Sequence, residues 1–129
     1  MPQAAPLAGR ALTSPSLVLV EWRDPGGGQD PPHYIAPLHL HHEDDEAWYV
    51  LEGTLAFRLG DEEVEAPTGA AVLAERGIVH TYWNPRPEPA RYMLAMTPRI
   101  HALIEALHAP GADAAAVFRD HASTLIGWP

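Results

Sequence analysis

With 129 residues, 47% of them hydrophobic and 19% charged, the chain has room for one globular domain and enough apolar material for one core. It has no cysteine, which excludes disulfides, thiolate nucleophiles, iron–sulfur clusters and cysteine-type zinc sites, and its eight basic residues are all arginine, which leaves no lysine for a Schiff base or a phosphate-binding loop. A net charge of −9 repels nucleic acid and anionic membrane surfaces alike, no apolar run nears the roughly 20 residues of a membrane span, and the N-terminus lacks a basic start with a long apolar core, so a cytoplasmic protein is expected.

Residues 1–16 are rich in Ala and Pro without periodicity and read as a tail or an edge arm. SLVLVEW (16–22) reads as a first strand, stopped by the turn-rich run Asp24, Pro25, Gly26, Gly27 and Gly28 that continues through Asp30, Pro31 and Pro32. From Tyr34 to Thr97 short strand-type segments recur, punctuated at Glu52-Gly53, Gly60-Asp61, Pro67-Thr68-Gly69, Arg76-Gly77 and Asn84-Pro85. In one of them Leu55, Phe57 and Leu59 alternate with Thr54, Ala56 and Arg58, as a half-buried strand requires. An all-β sandwich or barrel over 17–97 follows. After Pro98 the period changes: Ile100, Leu103, Ile104 and Leu107 form the stripe of an amphipathic helix that must be covered by its own barrel or by a partner's. A second short helix starts with Asp113 as N-cap and runs to Phe118, and residues 98–129 read as a C-terminal helical segment of the same domain.

Histidine is dense, and three of the eight fall on predicted strands. His39 and His41 are two apart, so both point to one face, about 6.6 Å apart at 3.3 Å per residue, and can converge on one ion. Glu46 opens the next strand beyond the acidic turn Glu43, Asp44, Asp45, and a hairpin there would bring its carboxylate beside the pair. His80 lies on a later strand, in phase with Tyr82, while Trp48 is in phase with Glu46.

These residues and their intervals resemble the cupin family. The family's first motif is Gly, five residues, His-x-His, three or four residues, Glu, six residues, Gly, and here His39, His41, Glu46 and Gly53 stand at those intervals. The second is Gly, five residues, Pro-x-Gly, two residues, His, three residues, Asn, matched by Gly69, Gly77, His80 and Asn84. His33 replaces the opening Gly and Glu75 the Pro, both at turn-shaping rather than ligand positions. The resemblance covers residues 33–84 and implies a double-stranded β-helix, a jelly-roll barrel. It also implies one divalent transition metal held by His39, His41, Glu46 and His80, and a homodimer. Neutral imidazole and carboxylate suit Fe, Mn, Ni, Cu or Zn, with up to two octahedral positions left for reactants.

Trp48 and Tyr82 have two readings, barrel core or a stacking wall for a planar substrate. Arg58 and Arg91 are candidates for an anionic group or ordinary exposed strand residues, and His33 for the mouth of a pocket. His42, on the opposite face from the pair, and His101 and His108, on one face of the predicted helix, read as surface or packing residues; the acidic run reads as a solvated turn. The small size and the order of the motifs resemble single-domain cupins compared with quercetin dioxygenase. That resemblance implies oxygenation of a small organic molecule, an aromatic one among the candidates, with Glu46 both a ligand and a base. The alternatives are a non-catalytic cupin that binds metal or a small molecule, and a metal-assisted isomerase or decarboxylase.

Overall fold

The computed structural model describes residues 4, 6, 7, 9–27 and 31–129; Gly28 and Asp30 of the expected loop lie outside the described residues. The strands are β1 (Ala11–Thr13), β2 (Val18–Asp24), β3 (Leu38–His41), β4 (Glu46–Glu52), β5 (Thr54–Leu59), β6 (Glu62–Pro67), β7 (Ala71–Ala74), β8 (His80–Trp83), β9 (Ala90–Met96) and β10 (Ser123–Gly127), with helices α1 (Pro98–Leu107) and α2 (Ala114–Asp120) before the last strand. They form two five-stranded antiparallel sheets, ordered β1-β2-β9-β4-β7 and β10-β3-β8-β5-β6, the double-stranded β-helix expected of the sequence.

The two-residue alternation decides which side chains meet between the sheets. Val18, Val20, Trp48, Val50, Leu94 and Met96 from the first sheet pack against Leu55, Phe57 and Tyr82 from the second, all buried in one cluster. Each such side chain contributes about 1.5–3 kcal/mol on burial. Gly53, the glycine between β4 and β5, has φ +79°, and a Cβ there would lie 2.5 Å from the Pro89 carbonyl oxygen, so no side chain fits the turn.

The N-terminal stretch, read as a tail or an edge arm, contributes β1, a three-residue edge strand paired with β2. Two elements differ from the sequence reading. The stretch β3 to β4 is no hairpin: the two strands lie in different sheets, and the chain crosses the sandwich through Glu43–Asp45. The C-terminal segment is not wholly helical, because after α2 the chain returns as β10 and pairs with β3. Thr97 caps α1, its hydroxyl accepting the Ile100 N–H, Pro98 fills the first helical position, and Asp113 caps α2 as expected. The apolar stripe of α1 is covered in part by its own barrel: Ile100 joins the core cluster and Ile104 packs against it, while Leu103 and Leu107 line the cavity between helices and sheets. Among the described residues no helix is long and apolar enough to cross a membrane.

Candidate metal centre

His39 and His41 project inward from β3, while Leu38 and Leu40 alternate with them. On the neighbouring strand β8 the direct partner of His39 is His80, which gives imidazole rings with centroids 4.3 Å apart. Glu46 reaches them from β4 in the facing sheet, so the set is closed across the sandwich rather than within a hairpin. One ligand atom from each of His39, His41, Glu46 and His80 lies within 4.8 Å of all the others, and all four residues are buried.

Hydrogen bonds on the far side of each ring decide which nitrogen faces the centre. The Nδ1–H of His39 donates to the Pro37 carbonyl at 2.6 Å, and that of His80 to the Ile78 carbonyl at 2.9 Å. The hydroxyl of Ser123 on β10 donates to the His121 carbonyl at 3.0 Å, so its oxygen is left to accept the Nδ1–H of His41 at 2.7 Å. All three rings are thereby held with an Nε2 lone pair turned inward. His41 Nε2 is buried with no hydrogen-bond partner and stands 3.6 Å from Glu46 Oε1, while His80 Nε2 stands 3.1 Å from the same oxygen. Lone pairs and a carboxylate aimed at one point leave a cation as the partner that satisfies them all, so this donor set fits a divalent transition metal.

Electrostatics agree. Burial, with the neighbouring His80 and His41 acting the same way, lowers the His39 pKa to about 3, so the ring is neutral and its lone pair is available. Burial alone would raise the Glu46 carboxyl; protons on the inner nitrogens of His41 and His80 outweigh burial and lower its pKa to about 2, so the buried carboxylate calls for positive charge beside it, from those protons or from a cation in their place.

The centre opens on a cavity of about 1010 Å³. Its wall is mainly apolar and aromatic, including Trp22, Trp48, Tyr82, Tyr92, Ile100 and Phe118. Trp48 and Tyr82 both line it and are also part of the packed core. Their rings lie 5.4 Å apart, and Trp48 is 5.8 Å from His80. Tyr92, which sequence reasoning missed, shares a 2.9 Å hydrogen bond between its hydroxyl and that of Tyr82. Burial raises the pKa of both phenols, and each stays protonated. Phe118 of α2 packs on the His39 ring at 5.1 Å, so the second helix is part of the wall.

Other candidates fall elsewhere. Arg58 bonds the Gly60 carbonyl and Arg91 pairs with Glu21 and Glu52, and neither arginine lines the cavity. His33 is exposed and away from it, and His42 bonds Thr124 on the outside. His101 and His108 border the cavity, His101 half-buried and 3.2 Å from Glu105 and His108 exposed, in keeping with a surface or packing role. The acidic turn is only partly solvated: Asp44 is buried 3.5 Å from Arg99, and Asp45 accepts from the backbone and guanidinium of Arg76, tying together the loops that precede Glu46 and His80. Glu75 stands where the motif has Pro, and the turn still closes through the Ile78 N–H on the Glu75 carbonyl. Asn84 is buried and braces the β8–β9 loop through the Glu88 carbonyl and the Arg86 N–H.

Ser123 and β10 carried no local signal that sequence reasoning could use. The bond from Ser123 to His41 joins positions 82 residues apart.

Comparison with solved structures places the chain among barrels of this kind. A Thermus thermophilus protein, TT1209, is 24% identical over 67% of this chain and 77% of its own, with a TM-score of 0.58. KdgF from a Halomonas species is 19% identical over 69% and 76%, with a TM-score of 0.58. A putative sugar phosphate isomerase from Acidithiobacillus ferrooxidans is 19% identical over 64% of this chain and 50% of its own, with a TM-score of 0.55. At such identities the likeness speaks for the fold alone. No curated protein matches. The family model of the cupin domain, however, matches residues 23–96, a span that holds all four converging side chains and both turn-shaping motifs. The chain therefore belongs to the cupin superfamily.

Proposed function

We propose that this cupin is a metal-dependent oxygenase of a small, largely apolar organic molecule. The observation that carries the reading is the pairing of a buried three-histidine, one-carboxylate set with a cavity whose wall is mainly hydrocarbon and aromatic. His39, His41 and His80 would hold the ion, with Glu46 as fourth ligand and, once displaced, as a base. A redox metal held by these residues would supply the oxygen chemistry. The chain's own part is to bind a flat apolar substrate against Trp48 and Tyr82, to keep bulk water away, and to hold a proton acceptor at Glu46.

An isomerase acting on a phosphorylated sugar, the description given to one structural neighbour, calls for cations near the phosphate. Among the described lining residues the one arginine is Arg10, which is exposed, and this disfavours that alternative. We also propose a homodimer. Leu12, Leu19, Ala95, Ala47 and Leu73 form an apolar row across the outer face of the first sheet, with Leu73 53% exposed, and a second copy of the chain is the proposed cover.

Iron-loaded protein is screened against phenolic and dicarbonyl compounds while oxygen consumption is followed. Uptake that depends on both metal and compound supports the oxygenase; persistent binding with no uptake moves the assignment to a non-catalytic binding cupin. Light scattering that gives the monomer mass at micromolar concentration removes the dimer.

A further inference from the structure

Hydrogen-bonding groups on the aromatic side of the cavity are out of balance. The indole N–H of Trp48 is buried beside the Tyr82 hydroxyl oxygen but makes no well-formed hydrogen bond to it or to any other described group. The hydroxyls of Tyr82 and Tyr92 bond each other at 2.9 Å, an arrangement that uses one of their two protons and leaves the other without an acceptor among the described residues. Two unused donors in a hydrocarbon wall each cost about 1–3 kcal/mol, and native proteins retain such groups where something else completes them. All three side chains line the cavity on which His39, His41 and Glu46 open, and the Trp48 ring lies 5.8 Å from that of His80 and 5.4 Å from that of Tyr82. The nearby fixed charge is the Glu46 carboxylate, so an anion is a poor match for this corner.

We propose that Trp48, Tyr82 and Tyr92 form a donor site for one neutral acceptor oxygen, and that it selects ligands with a carbonyl on an apolar, aromatic body. This rests on the reading of the cavity as the substrate site and narrows the substrate class. The faces of the rings accept the hydrocarbon and their polar edges accept the oxygen. The unused Tyr proton and the indole N–H reorient by small side-chain rotations to reach it. An analogue of equal shape without the oxygen leaves both donors stranded, which is how buried polar groups discriminate. Tyr92 is here a specificity-determining residue, on β9 of the sheet that faces the three histidines.

The probes are acetophenone and α-methylstyrene, which match in shape and differ in C=O against C=CH2. Binding is measured on metal-free protein by the indole N–H resonances in a proton–nitrogen correlation spectrum, with the Trp48 signal identified by its loss in Trp48→Phe. No turnover is required, so absent oxygen uptake would defeat the oxygenase and leave this result standing, while failure here leaves oxygen chemistry open. Acetophenone is expected to bind about 5–10-fold more tightly, from roughly one net hydrogen bond, and to shift the Trp48 N–H downfield. Tyr92→Phe, which keeps the ring and the fold, is expected to bring the ratio to within about twofold, with Tyr82→Phe as the second variant should Tyr92→Phe prove unstable. Equal binding of the two probes, binding of neither, or a preference that survives both Phe variants overturns the proposal.

Discussion

The Nδ1–H of His41 donates to the hydroxyl oxygen of Ser123, 2.7 Å away and 82 residues later in the chain. That bond sets the tautomer of one of three converging imidazoles and attaches the centre to β10. Ser123→Ala should lower metal affinity about 10–100-fold while leaving the barrel folded. Competition with a chelator of known affinity, beside an unchanged circular-dichroism spectrum, measures this. Unaltered affinity would show that His41 needs no such partner.

Removing a ligand is a harsher change. Glu46→Ala and His80→Ala should each lose tightly bound metal and keep the cooperative thermal transition, because the packed cluster of Val50, Leu55, Phe57 and Leu94 does not depend on the ion. Metal analysis after dialysis decides it. A full equivalent retained in both variants would mean the ion sits elsewhere.

Acid should weaken the metal-free protein in a defined window. His39 is held near pKa 3 by burial and by its histidine neighbours, against 6.5 when unperturbed, so between those values the unfolded chain carries a proton that the folded one excludes. Stability therefore falls as pH drops below about 6.5, with a slope of at most about 1.4 kcal/mol per pH unit for this group. Glu46, with a folded pKa near 2 against an ordinary 4.5, adds a further loss below 4.5. Urea midpoints at pH 7, 6 and 5 in chelator report the first part, and His39→Asn should flatten it. A profile that His39→Asn does not change would refute the assignment.

Ala122, between α2 and β10, has φ 54°, a left-handed backbone that alanine adopts at a cost. Its carbonyl accepts the His42 N–H at 2.8 Å, so the strained residue both turns the chain and pins it to the strand of the ligands. Ala122→Gly should stabilise the protein by about 0.5–1 kcal/mol, seen as a higher thermal midpoint, with metal affinity unchanged. A lower midpoint would mean that backbone freedom in the unfolded chain outweighs the relief.

What could be read in the sequence was what lies close together in it. His39 and His41 declare their shared face by a two-residue spacing, the glycine-punctuated strands declare the barrel, and the stripe from Ile100 to Leu107 declares α1. The crossing of Glu46 from the opposite sheet was not legible, because strand spacing does not say to which sheet the next strand belongs. Nor was β10: five residues with weak alternation, following two helices, acquire their identity only by pairing with β3. Tyr92 was missed for a similar reason, since nothing near it marks a residue whose partner, Tyr82, sits in the other sheet.

The late position of β10 has a consequence for how the protein is made. His39, His41, Glu46 and His80 are synthesised well before Ser123, and at translation rates of about 5–20 residues per second the stretch from His80 to Ser123 takes roughly 2–9 s. During that interval a nascent chain can present four metal-binding groups without the strand that fixes the His41 ring. An ion captured by these four residues before β10 docks would thus sit in a cage without the Ser123 bond to His41, more open to exchange with competing metals than after β10 has paired with β3.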